Sequence, residues 1–347
     1  MRGQKSVGST ANLARVAVLY TRAADPRPGA SSLVRVAENL AGNAEAILKS
    51  LRLDGCTVRG FDFGDDPVDI SRALRQFQPD VVYNLAESPQ ACYEKEPHAA
   101  ALLELLRLPY TGNGPVPLIL SKDKARSKVL LRGNGIPTPA FCVCASIPKN
   151  VPALQFPLVV KPLRQDGSIG ITEQSVVGNG RELRSAVAYV LESQRQEALV
   201  EEFVSGRELH VSVLGNGSAF DPFRILPPSE YIYHSDRWRV CTFEAKWDEN
   251  HPSYAAVEAV YPAKVSRRLR GELERLTLAC ARIFELSGYA RIDFRLDSAG
   301  VPQVLDINPN PDLAPGMGIA RAAETDGMSY GGLVRELMRL ALAKGPR

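Results

Sequence analysis

Long hydrophobic runs are missing from this chain, and so is a bias toward either sign of charge. The first apolar run, Val16 to Tyr20, is far too short for a signal or membrane-spanning helix. The polar segment before it reads as a loose tail over residues 1–14. Lys and Arg number 42 against 39 Asp and Glu and are interspersed with them, so neither nucleic acid nor a membrane surface is an expected partner. Of the six cysteines only Cys142 and Cys144 lie close together. C-x-C on a strand places two thiols on one face without making a zinc knuckle, and buried reduced thiols are expected. There is no P-loop, no G-x-G-x-x-G where a dinucleotide fold would require it, no internal repeat and no low-complexity segment. What remains is an ordinary cytoplasmic globular protein whose 347 residues are enough for two or three domains sharing one site.

The first third alternates short β-branched runs (Val16–Tyr20, Val58–Phe63, Val81–Asn84) with helical stretches (Leu33–Leu53, Ile70–Phe77), the signature of a parallel sheet wrapped by helices. Apolar residues recur at helical spacing from Glu96 to Arg107, and the turn formers Thr111 to Pro115 then mark a boundary. A second unit opens with a basic helix over Lys122–Arg132 and continues through strands at Leu158–Lys161, Ala198–Phe203 and Glu208–Leu214. The last holds a long helix (Val265–Leu286), strands at Ala290–Leu296 and Val301–Ile307, a Pro-rich turn and a closing helix over Ser329–Ala343. The expected class is α/β: an N-terminal parallel-sheet domain over 15–118, a central α+β lobe over 119–215 and a C-terminal α+β lobe over 216–347. Between Leu163 and Ile171 lies a polar stretch that cannot anchor a core, read as a mobile loop over 163–171.

The strongest constellation is Arg291-Ile292-Asp293 followed by Asp306-Ile307-Asn308. Residues two apart on a strand face the same side, so Arg291 joins Asp293 and Asp306 joins Asn308. Two carboxylates and an amide oxygen suit magnesium bridging phosphates, and Arg291 suits a phosphoryl group or an oxyanion. Either half alone also reads as the solvent face of a hairpin; together, flanked by apolar residues, they indicate a site. A second constellation is Lys161 at the end of a buried strand, followed by the glycine-containing loop Arg164 to Ile171. The lysine can offer a point charge and the loop backbone N–H groups to phosphates; read alone, the stretch also fits a lysine snorkelling out of a strand. A third is Glu201-Glu202-Phe203-Val204 with Glu208, whose backbone and carboxylates can serve an adenine edge and ribose hydroxyls, although by itself the segment says only strand, turn, strand.

Taken in order, Asp123-Lys124, Lys161-Pro162, Gly167-Ser168-Ile169-Gly170, Glu201 to Val204, Glu208, Arg291-x-Asp293 and Asp306-x-Asn308 resemble the ATP-grasp superfamily, and within it the D-alanine:D-alanine ligase branch. Ile136-Pro137-Thr138-Pro139, Phe243-Glu244-Ala245-Lys246 and Gly327-Met328-Ser329-Tyr330 extend the likeness. The resemblance implies a pre-ATP-grasp domain and two ATP-grasp lobes with ATP between the lobes. Lys124 and Lys161 would contact phosphates, Glu201, Glu202, Phe203 and Val204 the adenine, and Glu208 the ribose. Asp293, Asp306 and Asn308 would hold magnesium, with manganese as an alternative. Arg291, Ser168 and Lys246 would serve the reacting groups. The implied reaction forms an acyl phosphate from a carboxylate, then an amide with an amine, from small-molecule substrates expected to be amino acids. A homodimer is implied by the family alone.

Three departures bear on substrate choice. Ligases of this branch that make D-alanyl-D-alanine carry a glutamate in a Gly-Gly-x-Ser-x-Glu segment after the first strand, a serine in the loop and a tyrosine after a conserved lysine. Here Thr21 to Arg27 contains no such glutamate, the serine position is Gly167 and the tyrosine position is Trp247. Pro309 to Met317 replaces the branch's Thr-Ser-Pro-Gly-Met-Thr run, and Asp306 stands where a glutamate is usual. Altered amino-acid pockets are therefore expected beside intact ATP machinery, with an ordinary D-alanine:D-alanine ligase or a silent ATP-binding protein as the alternatives.

Overall fold

The computed structural model of the protein describes residues 14–21, 31–64, 66–234, 240–248 and 250–346. The expected tail and the Arg22–Arg27 segment lie outside the described residues. The described chain divides into two compact units, residues 1–115 with 312–347, and residues 116–311.

In the first unit, strands Arg15–Tyr20 (β1), Thr57–Asp62 (β2) and Val81–Leu85 (β3) form a parallel sheet in the order β2-β1-β3. Helices Ser31–Leu53 (α1) and Pro67–Phe77 (α2) connect them, and Glu96–Leu105 (α3) follows β3. Asp66 caps α2 by accepting from the Val68 amide at 2.7 Å, with Pro67 in the first turn, a strong helix-start signal. Val16 to Leu19 and Val81 to Tyr83 are fully buried, as expected of a parallel sheet covered on both faces.

The second unit begins with helices Pro115–Lys122 (α4) and Lys124–Gly133 (α5). The expected helix starts at Lys122; the structure ends α4 there and breaks at Asp123, whose side chain accepts from the Arg126 amide at 3.0 Å and starts a new helix. Lys124 thereby sits at the first position of α5.

Strands Phe141–Cys144 (β4), Leu158–Pro162 (β5), Val176–Val177 (β6) and Ala198–Glu202 (β7) make an antiparallel sheet ordered β4-β7-β5-β6, with helix Gly180–Ser193 (α6) packed on it. Leu158, Val160, Ala198 and Val200 share a core with Leu183, Val187 and Val190 of α6. Strand alternation then turns Val159, Lys161 and Glu201 to the opposite face.

Strands Glu208–Gly215 (β8), Arg224–Ile225 (β9), Ser229–Tyr233 (β10) and Val257–Val260 (β11) belong to a second antiparallel sheet, and helices Phe243–Trp247 (α7) and Pro252–Ala255 (α8) lie between β10 and β11 in sequence. Helix Arg267–Ile283 (α9) leads to strands Gly288–Leu296 (β12) and Pro302–Asn308 (β13), which complete the sheet in the order β11-β10-β8-β12-β13, with β9 on β8. Its apolar face, with Leu209, Val211, Ile292, Phe294, Val304 and Ile307, packs with Leu273, Leu276 and Cys280 of α9. Helices Gly318–Thr325 (α10) and Tyr330–Lys344 (α11) return to the first unit, where Arg335 pairs with Asp54.

All six cysteines are free thiols, and Cys56, Cys144 and Cys280 are buried. Among the described residues no helix is long and apolar enough to cross a membrane.

Candidate active site

On β12 and β13 the antiparallel register sets Arg291 opposite Asn308 and Asp293 opposite Asp306. The four side chains thus form one patch on the face away from α9. The register slips after Asp293, where Phe294 pairs with Val304 and Leu305 becomes the extra residue of a bulge. Two carboxylates directly opposite each other repel, and each takes a cation. Arg291 forks onto Asp293, with Nε donating to Oδ1 at 2.6 Å and Nη2 to Oδ2 at 2.9 Å. Lys124 and Lys161 approach Asp306 at 3.4 Å and 4.0 Å. Asn308 Nδ2 donates to Asp293 Oδ2 at 3.0 Å. Burial opposes ionisation of Asp293, but Arg291 outweighs it and holds the carboxyl below its ordinary value.

A cleft joins this patch to the other sheet, and its walls include Lys124, Lys161, Glu201, Glu208, Arg291, Asp293, Asp306 and Asn308. The structure therefore gathers every predicted phosphate and metal residue in one place. Lys161 stands 3.5 Å from Glu201, whose carboxylate is buried and also faces Lys128 at 3.3 Å. Glu208 accepts from Arg295 Nε and the Tyr233 hydroxyl, each at 2.8 Å, and lies 3.2 Å from His210. Its burial is outweighed by Arg295, which keeps it ionised. Arg295 also donates to the Val204 carbonyl at 2.9 Å and lies over the Phe203 ring, so the Glu201–Val204 segment is clamped to β12. Glu202 accepts from the Gln155 amide at 2.9 Å.

The expected mobile loop forms the cleft's polar rim. Asp166 accepts from Lys122 at 3.0 Å and from Lys124 at 3.1 Å. Trp247 Nε1 donates to the Gly167 carbonyl at 2.8 Å, and Ser168 adopts a left-handed backbone with φ of 62°. Ser168 and Lys246 both line the cleft, as does Cys241, whose thiol burial pushes up to about 11.

The donor set fits a hard divalent cation: two carboxylates and an amide on one face, with no soft ligand among them. Among the described residues no three His, Cys, Asp or Glu side chains cluster as a metal site, so the amide of Asn308 is needed to complete a protein triad.

Sequence reasoning missed Lys128, Arg295, His210 and Asp166. Lys124 and Lys128 are four apart on a helix, which places them on one face, and that spacing was the available signal for Lys128. The other three depend on pairings between distant strands and loops.

Comparison with known proteins supplies what geometry alone does not. The family described as D-ala D-ala ligase C-terminus matches residues 133–339. The protein is 36% identical to a Sinorhizobium fredii protein named Uncharacterized protein y4sG, over 75% of this chain and 74% of that one. It is 32% identical to a D-alanine–D-alanine ligase of Alcanivorax borkumensis, over 70% of this chain and 72% of that one. A crystal structure of a D-alanine–D-alanine ligase from Bacillus anthracis superposes with a TM-score of 0.75 at 20% identity, covering 95% of this chain and 98% of that one. The parallel sheet and the two antiparallel sheets are thus shared with a known architecture, and the chain belongs to the D-alanine–D-alanine ligase family of the ATP-grasp superfamily.

Proposed function

We propose that this cleft joins a carboxylate to an amine at the expense of ATP, with amino-acid pockets altered from those of members that make D-alanyl-D-alanine. The chain is an ATP-dependent C–N ligase, the class that releases ADP and phosphate. Lys124 and Lys161 carry the charge that screens nucleotide phosphates from an attacking carboxylate. Glu201 to Val204 hold the adenine, and Glu208, fixed by Arg295, the ribose. Asp293, Asp306 and Asn308 hold magnesium or manganese. Bound there, the ion neutralises phosphate charge and polarises the transferring group. Arg291 lies beside those ligands, in place to stabilise the oxyanion formed when the amine attacks the acyl phosphate. Ser168, Lys246 and the 163–171 loop cover the reacting groups, which protects a water-sensitive intermediate. Amino acids are the expected substrates, the cytoplasm the expected compartment and a homodimer the expected assembly.

One contact carries the altered-pocket reading. Trp247 and Gly167, at two of the positions that depart from the branch's pattern, are bonded to each other. An indole N–H is a donor without acceptor capacity, and here the Gly167 carbonyl takes it. This pair supplies no carboxylate or hydroxyl to receive a substrate ammonium. Arg291 kept together with Asp293, Asp306 and Asn308 also speaks against a silent ATP-binding protein, which has no need for both the metal ligands and an oxyanion arginine. The test is ADP release across a panel of D- and L-amino acids, with mass spectrometry of the product. A condensed product containing a residue other than D-alanine is expected; no amino-acid-dependent ADP release with any pair would overturn the reading.

A further inference from the structure

Behind Glu201 lies a lysine that the proposed reaction does not use. Lys128 sits on α5 one turn after Lys124, and its side chain is fully buried. Its ammonium donates to Thr138 Oγ1 at 2.9 Å and to the Leu305 carbonyl at 3.4 Å, and faces Glu201 Oε2 at 3.3 Å. Thr138 gives its own hydroxyl hydrogen to the Val304 carbonyl at 2.7 Å, so it accepts from Lys128. Two hydrogen-bond acceptors and a facing carboxylate surround one nitrogen, a setting that suits an ammonium. Burial pushes the Lys128 amine below its ordinary value, and the Glu201 carboxylate beside it acts against that push.

Glu201 is equally enclosed, and neither of its oxygens accepts a conventional hydrogen bond. Lys128 at 3.3 Å and Lys161 at 3.5 Å both stand outside the range of roughly 2.7–2.9 Å typical of a charge-assisted bond. One carboxylate is shared between two ammonium groups and satisfies neither fully. Glu201 is thus divided between two ammonium groups, of which Lys161, also 4.0 Å from Asp306, is the one that lines the cleft. Without Lys128, Glu201 and Lys161 would make a neutral pair free to close to bonding distance, and the strand-end cation would be lost to an incoming anion.

We propose that Lys128 is a positioning residue: by holding one oxygen of Glu201 from the interior, it keeps Lys161 electrostatically available to nucleotide phosphate. The inference rests on the reading that ATP phosphates meet Lys161. Its readout is the ratio of the Kd for adenosine to the Kd for ATP, because adenosine lacks phosphates and reports any general damage to the pocket. Equilibrium binding would be measured on the full chain, wild type and Lys128→Gln, with circular dichroism to confirm folding. Gln keeps donors for Thr138 and Leu305 but carries no charge. The ratio is expected to fall about tenfold while adenosine affinity stays within about threefold, from the loss of one nearby charge. An unchanged ratio in folded Lys128→Gln would overturn the proposal. If that variant does not fold, Lys128→Met, which removes the same charge and fills the space with an apolar chain, takes its place. Its ratio is expected to fall about tenfold as well, and an unchanged ratio would overturn the proposal on the same charge argument. A wild-type ratio near one would instead contradict the ATP-site reading itself.

Discussion

The indole N–H of Trp247 donates to the backbone carbonyl of Gly167 across 2.8 Å, tying α7 to the loop that rims the cleft. A hydrogen bond of this kind contributes about 1 kcal/mol net, so its loss shifts a local opening equilibrium about fivefold. Trp247→Phe is expected to speed hydrogen exchange or proteolytic cleavage within 163–171 by about that factor, with the global melting temperature changed by less than about 4 °C. Unaltered exchange in the loop would show that the contact does not hold it.

Asp293 and Asp306 face each other directly across β12 and β13, an arrangement that repels unless cations intervene. Asp293→Asn and Asp306→Asn each remove one charge from the magnesium ligands. Both variants are expected to lose at least about a hundredfold in phosphate release, the scale of a missing charge contact in the transition state. Near-normal turnover in both would exclude the metal assignment.

Lys161 touches Glu201 and Asp306 but belongs to no apolar core. For Lys161→Ala the KM for ATP should rise at least about tenfold, as expected for one lost phosphate contact. Thermal stability should change little, since Lys128 remains to pair Glu201. A large fall in melting temperature with unchanged nucleotide affinity would assign Lys161 a purely structural role.

Much of this site was legible in the chain. Period-two alternation in Arg291 to Phe294 and in Asp306 to Asn308 separates polar from apolar faces, and it predicts which four side chains meet. The structure adds the register that sets Asp293 against Asp306. For Lys128 the four-residue spacing from Lys124 was the one signal, and it is weak because a lysine on a basic helix reads as solvated and its burial depends on Thr138, Glu201 and Leu305 arriving from elsewhere in the chain. The Glu208–Arg295 pair was hidden for the same reason: it needs β8 and β12, 87 positions apart, to be sheet neighbours. The break at Asp123 was readable in principle, since an aspartate three residues before an amide it can cap is a helix-start signal.

The cleft's acids give a direction for pH dependence. Glu201, Glu208, Asp166 and Asp293 are all held below their ordinary values, each because neighbouring Lys or Arg outweighs burial. A carboxyl with a depressed folded-state value stabilises the fold above its unfolded value of about 4, and that contribution is lost as pH falls below it. Thermal melts should therefore show stability steady from neutral pH down to about 5 and falling steeply below about 4. Lys128→Gln/Glu201→Gln should flatten the acid limb, because one of the four depressed carboxyls is gone. An acid limb identical to wild type would contradict the coupling.

The central claim is an ATP-dependent ligase whose substrate pockets depart from those for two D-alanines, and one comparison tests it most directly. Coupled ADP release is measured with D-alanine as sole amino acid and again with a mixed panel of D- and L-amino acids, at matched concentrations. Leaving a substrate ammonium unpaired costs about 1–3 kcal/mol or more, a penalty of roughly five- to over a hundredfold. Turnover with D-alanine alone is accordingly expected to lie at least about tenfold below the best panel member. Efficient turnover with D-alanine alone, giving D-alanyl-D-alanine by mass spectrometry, would contradict the account and make this an ordinary D-alanine–D-alanine ligase.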